Sequence, residues 1–172
     1  MPVSLTPKGT GRPDYSIDIG KSTASANVIK EYKLKPNEKL KIFQLVFTDV
    51  TSAYPFVRSP LAPTERVSLM DGETGLPMPF TVPAGYDFRV LKYWFNSNES
   101  LRLEMYFDGQ LISTMFPGDL YTYFEQDVAL FRVSWFDPDL SSSHTMDIQA
   151  VNEGTTDAYG HAIVYAILEK VR

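Results

Sequence analysis

The chain has no cysteine and only two histidines. The first absence excludes a disulfide framework, a zinc–thiolate site and a thiol nucleophile. The second leaves His144 and His161, which are too far apart in sequence to form a His-x-His metal set, so no metal site is expected. A basic excess is also missing. The net charge is −5 and no lysine–arginine cluster interrupts it, which argues against a nucleic-acid partner. The longest apolar run, Ala162–Leu168, is far shorter than the about 20 residues a membrane helix needs, so no membrane partner is expected. Met1–Gly20 has no charged start followed by an apolar stretch, so the expectation is synthesis in the cytoplasm without a secretory signal. No amphipathic helix and no internal repeat can be read. Gly9-Thr10-Gly11 precedes no strand–helix unit, so there is no phosphate loop and no cofactor is expected.

What remains is apolar and strand-like. Hydrophobic residues make up 44% and aromatics 13% of the 172 residues, enough for one core without staples. The first stretch, Met1–Asn27, is rich in Gly, Pro, Ser and Thr and reads as an extended N-terminal arm. Residues 28–172 then read as one β-sandwich domain. Val28–Leu34 and Leu40–Asp49 are expected strands around a Pro36-Asn37 turn. In the second, Leu40, Ile42 and Val46 share one face while Phe43, Leu45 and Phe47 share the other, which suggests cover on both sides. Six of the twelve prolines fall between Tyr54 and Pro83, a density that excludes helix and central strand. A short strand, Glu65–Met70, is expected inside that excursion.

Tyr86–Phe95 is the next strand, followed by an Asn96-Ser97-Asn98 turn and an alternating Leu101–Phe107. Asp108-Gly109 is the preferred pair for a two-residue hairpin turn. That turn sets Phe107 opposite Gln110, Met105 opposite Ile112 and Leu101 opposite Phe116. Leu120–Phe124 and Val128–Phe136 continue the strands, then Thr145–Val151 and Tyr159–Glu169. The last is apolar on both faces and belongs at a sheet centre. Short strands at this spacing indicate an all-β, antiparallel sandwich, with a jelly roll the first choice.

Chemistry is sparse. Ser141-Ser142-Ser143 precedes His144, but no Gly-x-Ser-x-Gly elbow accompanies them, and a polar turn accounts for the run. His161 lies in an apolar strand, where a core or interface role is expected. Asp137 and Asp139, or Asp71 and Glu73, have oxygen ligands suited to calcium, yet neither stretch matches an EF-hand loop and turn formation explains them without any ion. No catalytic residue can be chosen, and the chain is read as a non-enzyme. Aromatic residues, above all Trp94, Tyr121 and Tyr123, offer an alternative: a sugar-stacking platform for carbohydrate or receptor binding.

From Val82 the text runs Val-Pro-Ala-Gly-Tyr-Asp-Phe-Arg-Val-Leu-Lys-Tyr and, further on, Leu-Glu-Met-Tyr-Phe-Asp-Gly-Gln-Leu-Ile. It resembles a pattern of β-sandwich virion proteins of phages and prokaryotic viruses. The resemblance implies a jelly-roll-like subunit on a virion, for example a capsid decoration protein. Its partners would be copies of itself and a major capsid or other virion protein, with a homo-oligomer, such as a trimer, expected. No site residue transfers from it. Ordering an arm costs about 1–2 kcal/mol per residue in backbone entropy, so Met1–Asn27 needs a large compensating contact. Docking on a neighbouring subunit through Tyr15, Ile17 and Ile19 would supply it.

Overall fold

The computed structural model describes residues 33–98, 101–116 and 131–172. These contain eleven strands: β1 (Glu38–Phe47), β2 (Val57–Arg58), β3 (Arg66–Ser68), β4 (Met70–Asp71), β5 (Phe80–Val82), β6 (Tyr86–Ser97), β7 (Leu101–Phe107), β8 (Gln110–Met115), β9 (Phe131–Arg132), β10 (His144–Asn152) and β11 (Gly160–Lys170). A single 3-10 turn, Val133–Trp135, follows β9, and no α-helix occurs among the described residues.

The strands form two mostly antiparallel sheets. One has six strands in the order β2-β1-β11-β6-β9, with β4 also pairing with β1. The other has five in the order β3-β10-β7-β8, with β5 also pairing with β10. β11 is central, flanked by β1 and β6, as its two apolar faces imply. The inner faces meet in one core. Phe43, Leu45 and Phe47 of β1 and Ala162, Val164 and Ala166 of β11 join Leu101, Leu103, Met105, Met146 and Ile148 of the other sheet. Each alternates with outward residues, the period-2 signature of a sandwich. Burying a side chain such as Phe43 contributes about 2–3 kcal/mol.

The two outer faces differ in kind. On the five-stranded sheet, Glu104 is gripped by Arg66 at 3.0 Å and Arg102 at 2.6 Å, and accepts a short hydrogen bond from the Tyr106 hydroxyl. Arg66 also donates to Gln149 at 3.0 Å. Burial works against the Glu104 charge, but these partners outweigh it and hold the carboxyl below its usual range. The outer face of the six-stranded sheet is divided: Arg89, Asp87, Glu38 and Glu169 form a charged cluster at one end, and apolar residues occupy much of the rest. Leu40, Ile42 and Val46 of β1 pair with Ile167, Tyr165 and His161 of β11, and Ile163 pairs with Trp94 of β6.

Some expected details differ in the structure, and others fall outside the described residues. Of the strand expected at Val28–Leu34, only Lys33 and Leu34 are described, and they are irregular. Asn96 and Ser97 continue β6 instead of turning, because they pair with His161 and Gly160. The Asp108-Gly109 turn forms, with φ positive at both residues (47° and 77°), and Phe107 does face Gln110. Beyond it the register shifts between Met105 and Tyr106, so Met105 faces Ser113, not Ile112. The extra residue turns Met115 inward opposite Leu103 and leaves Phe116 outside, 65% exposed. Of the strand expected at Val128–Phe136, residues 128–130 lie outside the described residues; β9 ends at Arg132, since Ser134 turns back to donate to Asp87 and the chain coils into the 3-10 turn. Residues 120–124 lie outside the described residues.

Candidate functional site

One end of the sandwich carries an aromatic cluster. Phe107 of β7 lies 5.5 Å from Phe131 and 5.1 Å from Phe136, ring centre to ring centre. Phe131 stacks on Phe136 at 5.4 Å and meets Trp135 edge-on at 6.4 Å. Phe131 is buried, while Trp135 and Phe136 are 59% and 56% exposed. The 3-10 turn explains this division. Its backbone is fixed by Ser134, whose N–H and hydroxyl donate to the two oxygens of the buried Asp87 at 3.0 and 3.1 Å. With Ser134 turned inward, Trp135 and Phe136 are presented outward on a rigid support.

His144 is clasped beside this cluster. Its ring stacks on Phe107 at 5.0 Å, its Nδ1 lies 2.7 Å from Asp108 and its Nε2 3.0 Å from Asp137. Burial opposes the charged ring, but the two carboxylates outweigh it, so the imidazolium is favoured and its pKa lies above 6.5. The Asp137 carboxyl is pushed down, first by the hydrogen bond from His144. The Thr145 N–H donates to Asp108 at 2.8 Å and the Ser142 N–H to Asp137 at 3.1 Å. Both ring nitrogens are therefore engaged by carboxylates, and neither meets the Ser141–Ser143 hydroxyls. The arrangement ties the β7–β8 turn, the 137–142 loop and β10 together.

A polar cleft of about 410 Å³ opens behind the 3-10 turn, lined by Lys35, Asp87, Arg89, Arg132, Ser134 and Glu169 among others. Arg89 pairs with Glu38 at 2.5 Å and Glu169 at 3.5 Å, and Arg132 with Asp87 at 3.0 Å. Its cations are thus matched by carboxylates, which suits a structural network. Across the molecule, Lys41 is buried between Asp71 at 2.7 Å and Glu73 at 2.9 Å, and lies 5.1 Å from the centre of the Phe80 ring. Hydrogen bonds from Lys39 and then Lys41 drive the Glu73 carboxyl down to about 2. The acidic pair offered for calcium is therefore occupied by lysines. Glu73, Glu104, Asp108 and Asp137 are all held ionised, the opposite of what a general acid requires.

Of the residues singled out from sequence, Trp94 sits on the outer face of the six-stranded sheet, half-buried and edge-on to His161 at 5.0 Å. Burial lowers the His161 pKa and favours the neutral ring. Tyr121 and Tyr123, and the arm residues Tyr15, Ile17 and Ile19, lie outside the described residues. Trp94 is therefore not on the aromatic end formed by Trp135 and Phe136, residues whose composition suits a strand. The only signal for that end was two adjacent aromatics directly before Asp137-Pro138-Asp139. The chain matches no protein-family model, no curated protein and no solved structure.

Proposed function

We propose that this chain is a non-enzymatic structural subunit of a viral particle, a jelly-roll body of the capsid-associated or decoration kind. In this reading the N-terminal arm laces neighbouring copies through Tyr15, Ile17 and Ile19. A major capsid or other virion protein is the further partner, and the chain resides in the virion. The observation that carries it is the pair Trp135 and Phe136, large aromatics left more than half exposed on a turn pinned by Asp87. Exposed aromatics on a rigid support are the material of interface anchors, since they lose little side-chain entropy on docking. The surface charge networks, by contrast, are already internally matched.

The test is the mass of the full chain by sedimentation and native mass spectrometry. A closed homo-oligomer is expected, with a trimer the first stoichiometry to test, and Trp135→Ala with Phe136→Ala should weaken it at least tenfold. A monomer at every concentration, with no uptake onto particles, sinks the reading. A second reading, a carbohydrate- or receptor-binding adhesion module, draws on the same exposed Trp135 and Phe136 as a stacking surface. Glycan-array binding lost in Trp135→Ala, with the oligomer intact, would select it.

A further inference from the structure

Lys41 lies on the core-facing side of β1, in step with Phe43, Leu45 and Phe47, where alternation calls for an apolar residue. Its side chain is 5% exposed, and that of Asp71 on the neighbouring β4 is 9% exposed. β4 runs antiparallel to β1 with Asp71 opposite Phe43, and the Gly72 N–H donates to the Ile42 carbonyl at 2.8 Å. This brings Glu73 alongside Lys41, its Oε2 2.9 Å from Nζ. The Asp71 carboxyl is held at both oxygens: Oδ2 accepts from Lys41 at 2.7 Å and Oδ1 from the Glu73 N–H at 2.8 Å. Rings wall the pair, with Nζ 5.1 Å from the centre of Phe80 and 6.0 Å from that of Phe43. A cavity of about 230 Å³, lined by Thr74, Leu76 and Pro79 among others, opens beside it. Keeping two charges away from water is costly, and an amine beside a carboxylic acid escapes that cost.

We propose that the folded chain joins Lys41 to Asp71 by an intramolecular amide (isopeptide) bond between Nζ and Cγ. At rest the pair is ionic: burial opposes the Lys41 ammonium, but the hydrogen bonds to Asp71 and Glu73 outweigh it. Transfer of one proton from Nζ to Oδ2 gives amine and carboxylic acid with no change of net charge, an exchange that apolar walls favour more than water does. The amine lone pair attacks Cγ, and the carbonyl electron pair moves onto Oδ1, where the Glu73 N–H already points. Glu73, ionised at rest as a proton acceptor must be, takes a second proton from Nζ and passes it to the Oδ2 hydroxyl. The Cγ–Oδ2 bond breaks, Oδ2 leaves as water, and one hydrogen stays on the amide nitrogen. Nothing is oxidised or reduced, and no co-reactant is needed. The step occurs once per chain, so a small fraction of the neutral pair suffices. The bond ties β1 to β4 across 30 positions and restricts the unfolded chain, as a disulfide does, in a protein without cysteine. The inference goes beyond the assembly reading and stands without it.

The test is the intact mass of the purified full chain, followed by a tryptic map. The expected mass is below the sequence mass by one water. Lys41 should resist trypsin, and the peptide that carries it should be found joined to the peptide that carries Asp71. Asp71→Ala and Lys41→Arg should each restore the full sequence mass, and Glu73→Gln should slow formation of the bond about a hundredfold. The unaltered chain is the decisive sample, so a variant that fails to fold leaves the test intact. The full sequence mass, persisting after prolonged incubation of the folded chain, overturns the proposal. A loss of water with Lys41 still cut by trypsin marks a succinimide at Asp71-Gly72 or Asp108-Gly109 and overturns it equally. An unchanged rate in Glu73→Gln overturns the role given to Glu73.

Discussion

His144 is held by two carboxylates from different parts of the chain, and this fixes how its contribution varies with pH. Its folded pKa is raised above 6.5, so the stability it contributes is fully present below that value and is lost as pH rises through the raised value. Asp108 and Asp137 are pushed below 3.8, so their contribution is present above 3.8 and is lost as pH falls through their lowered values. The clasp should therefore be strongest in mildly acidic solution, between those limits. His144→Asn should flatten the decline above neutral pH and cost about 1–2 kcal/mol near pH 5, below the full charge-assisted value because Asp108 is exposed. Urea unfolding across a pH series checks this, and an unchanged upper limb would refute the clasp. The sequence announced His144 only as part of a Ser-rich turn. Its partners come from a hairpin turn 36 positions away and from Asp137 across a loop, and only the fold brings them together.

At the scale of strands, alternation carried most of the fold. β7 and β10 are readable because residues alternate between a buried and an outward face, and β1, β6 and β11 because their length and apolar composition mark covered strands. The hairpin shows where this stops. Leu111 and Ile112 are both apolar, so either could face inward, and the pattern cannot show which of them is the extra residue. β9 fails for a different reason: Ser134 is held by Asp87, 47 positions away, and that bond cuts short a stretch whose composition suits a strand. The same bond turns Trp135 and Phe136 out of strand alternation, so their exposure cannot be read from the pattern. The start of β11 offers a direct check of the β6–β11 register. A Cβ on Gly160 would lie 2.3 Å from the Asn96 carbonyl oxygen and 3.1 Å from the Ser97 Cα. Backbone cannot yield there as a flexible side chain can. Gly160→Ala should therefore cost about 1–3 kcal/mol or more, read by thermal or denaturant unfolding. A neutral result would mean that β11 does not start against Asn96 and Ser97.

For the whole molecule, the asymmetry of its surfaces bears on how copies combine. One outer sheet face carries a matched ionic lattice, the other combines apolar residues with the Arg89–Glu38–Glu169 cluster, and one end displays Trp135 and Phe136. A body built this way gains little from long-range electrostatics at a net charge of −5, and its association should rest on apolar contact. Partner binding to the folded state adds RT ln(1 + [L]/Kd), about 2.7 kcal/mol at one hundred times Kd. For a domain of this size that corresponds to a rise of about 5–10 °C in Tm. The unfolding temperature of the full chain should accordingly climb with protein concentration. Because the contact is apolar, the climb should persist in high salt, where exposed ion pairs are screened. Ile17→Asp with Ile19→Asp should flatten the concentration dependence while leaving the dilute-limit Tm unchanged, as lacing of neighbouring copies by these residues requires. If Tm is independent of concentration in the unaltered chain, copies do not stabilise one another and lacing by the arm is excluded. If the double variant instead lowers the dilute-limit Tm, Tyr15–Ile19 dock on their own body rather than on a neighbour.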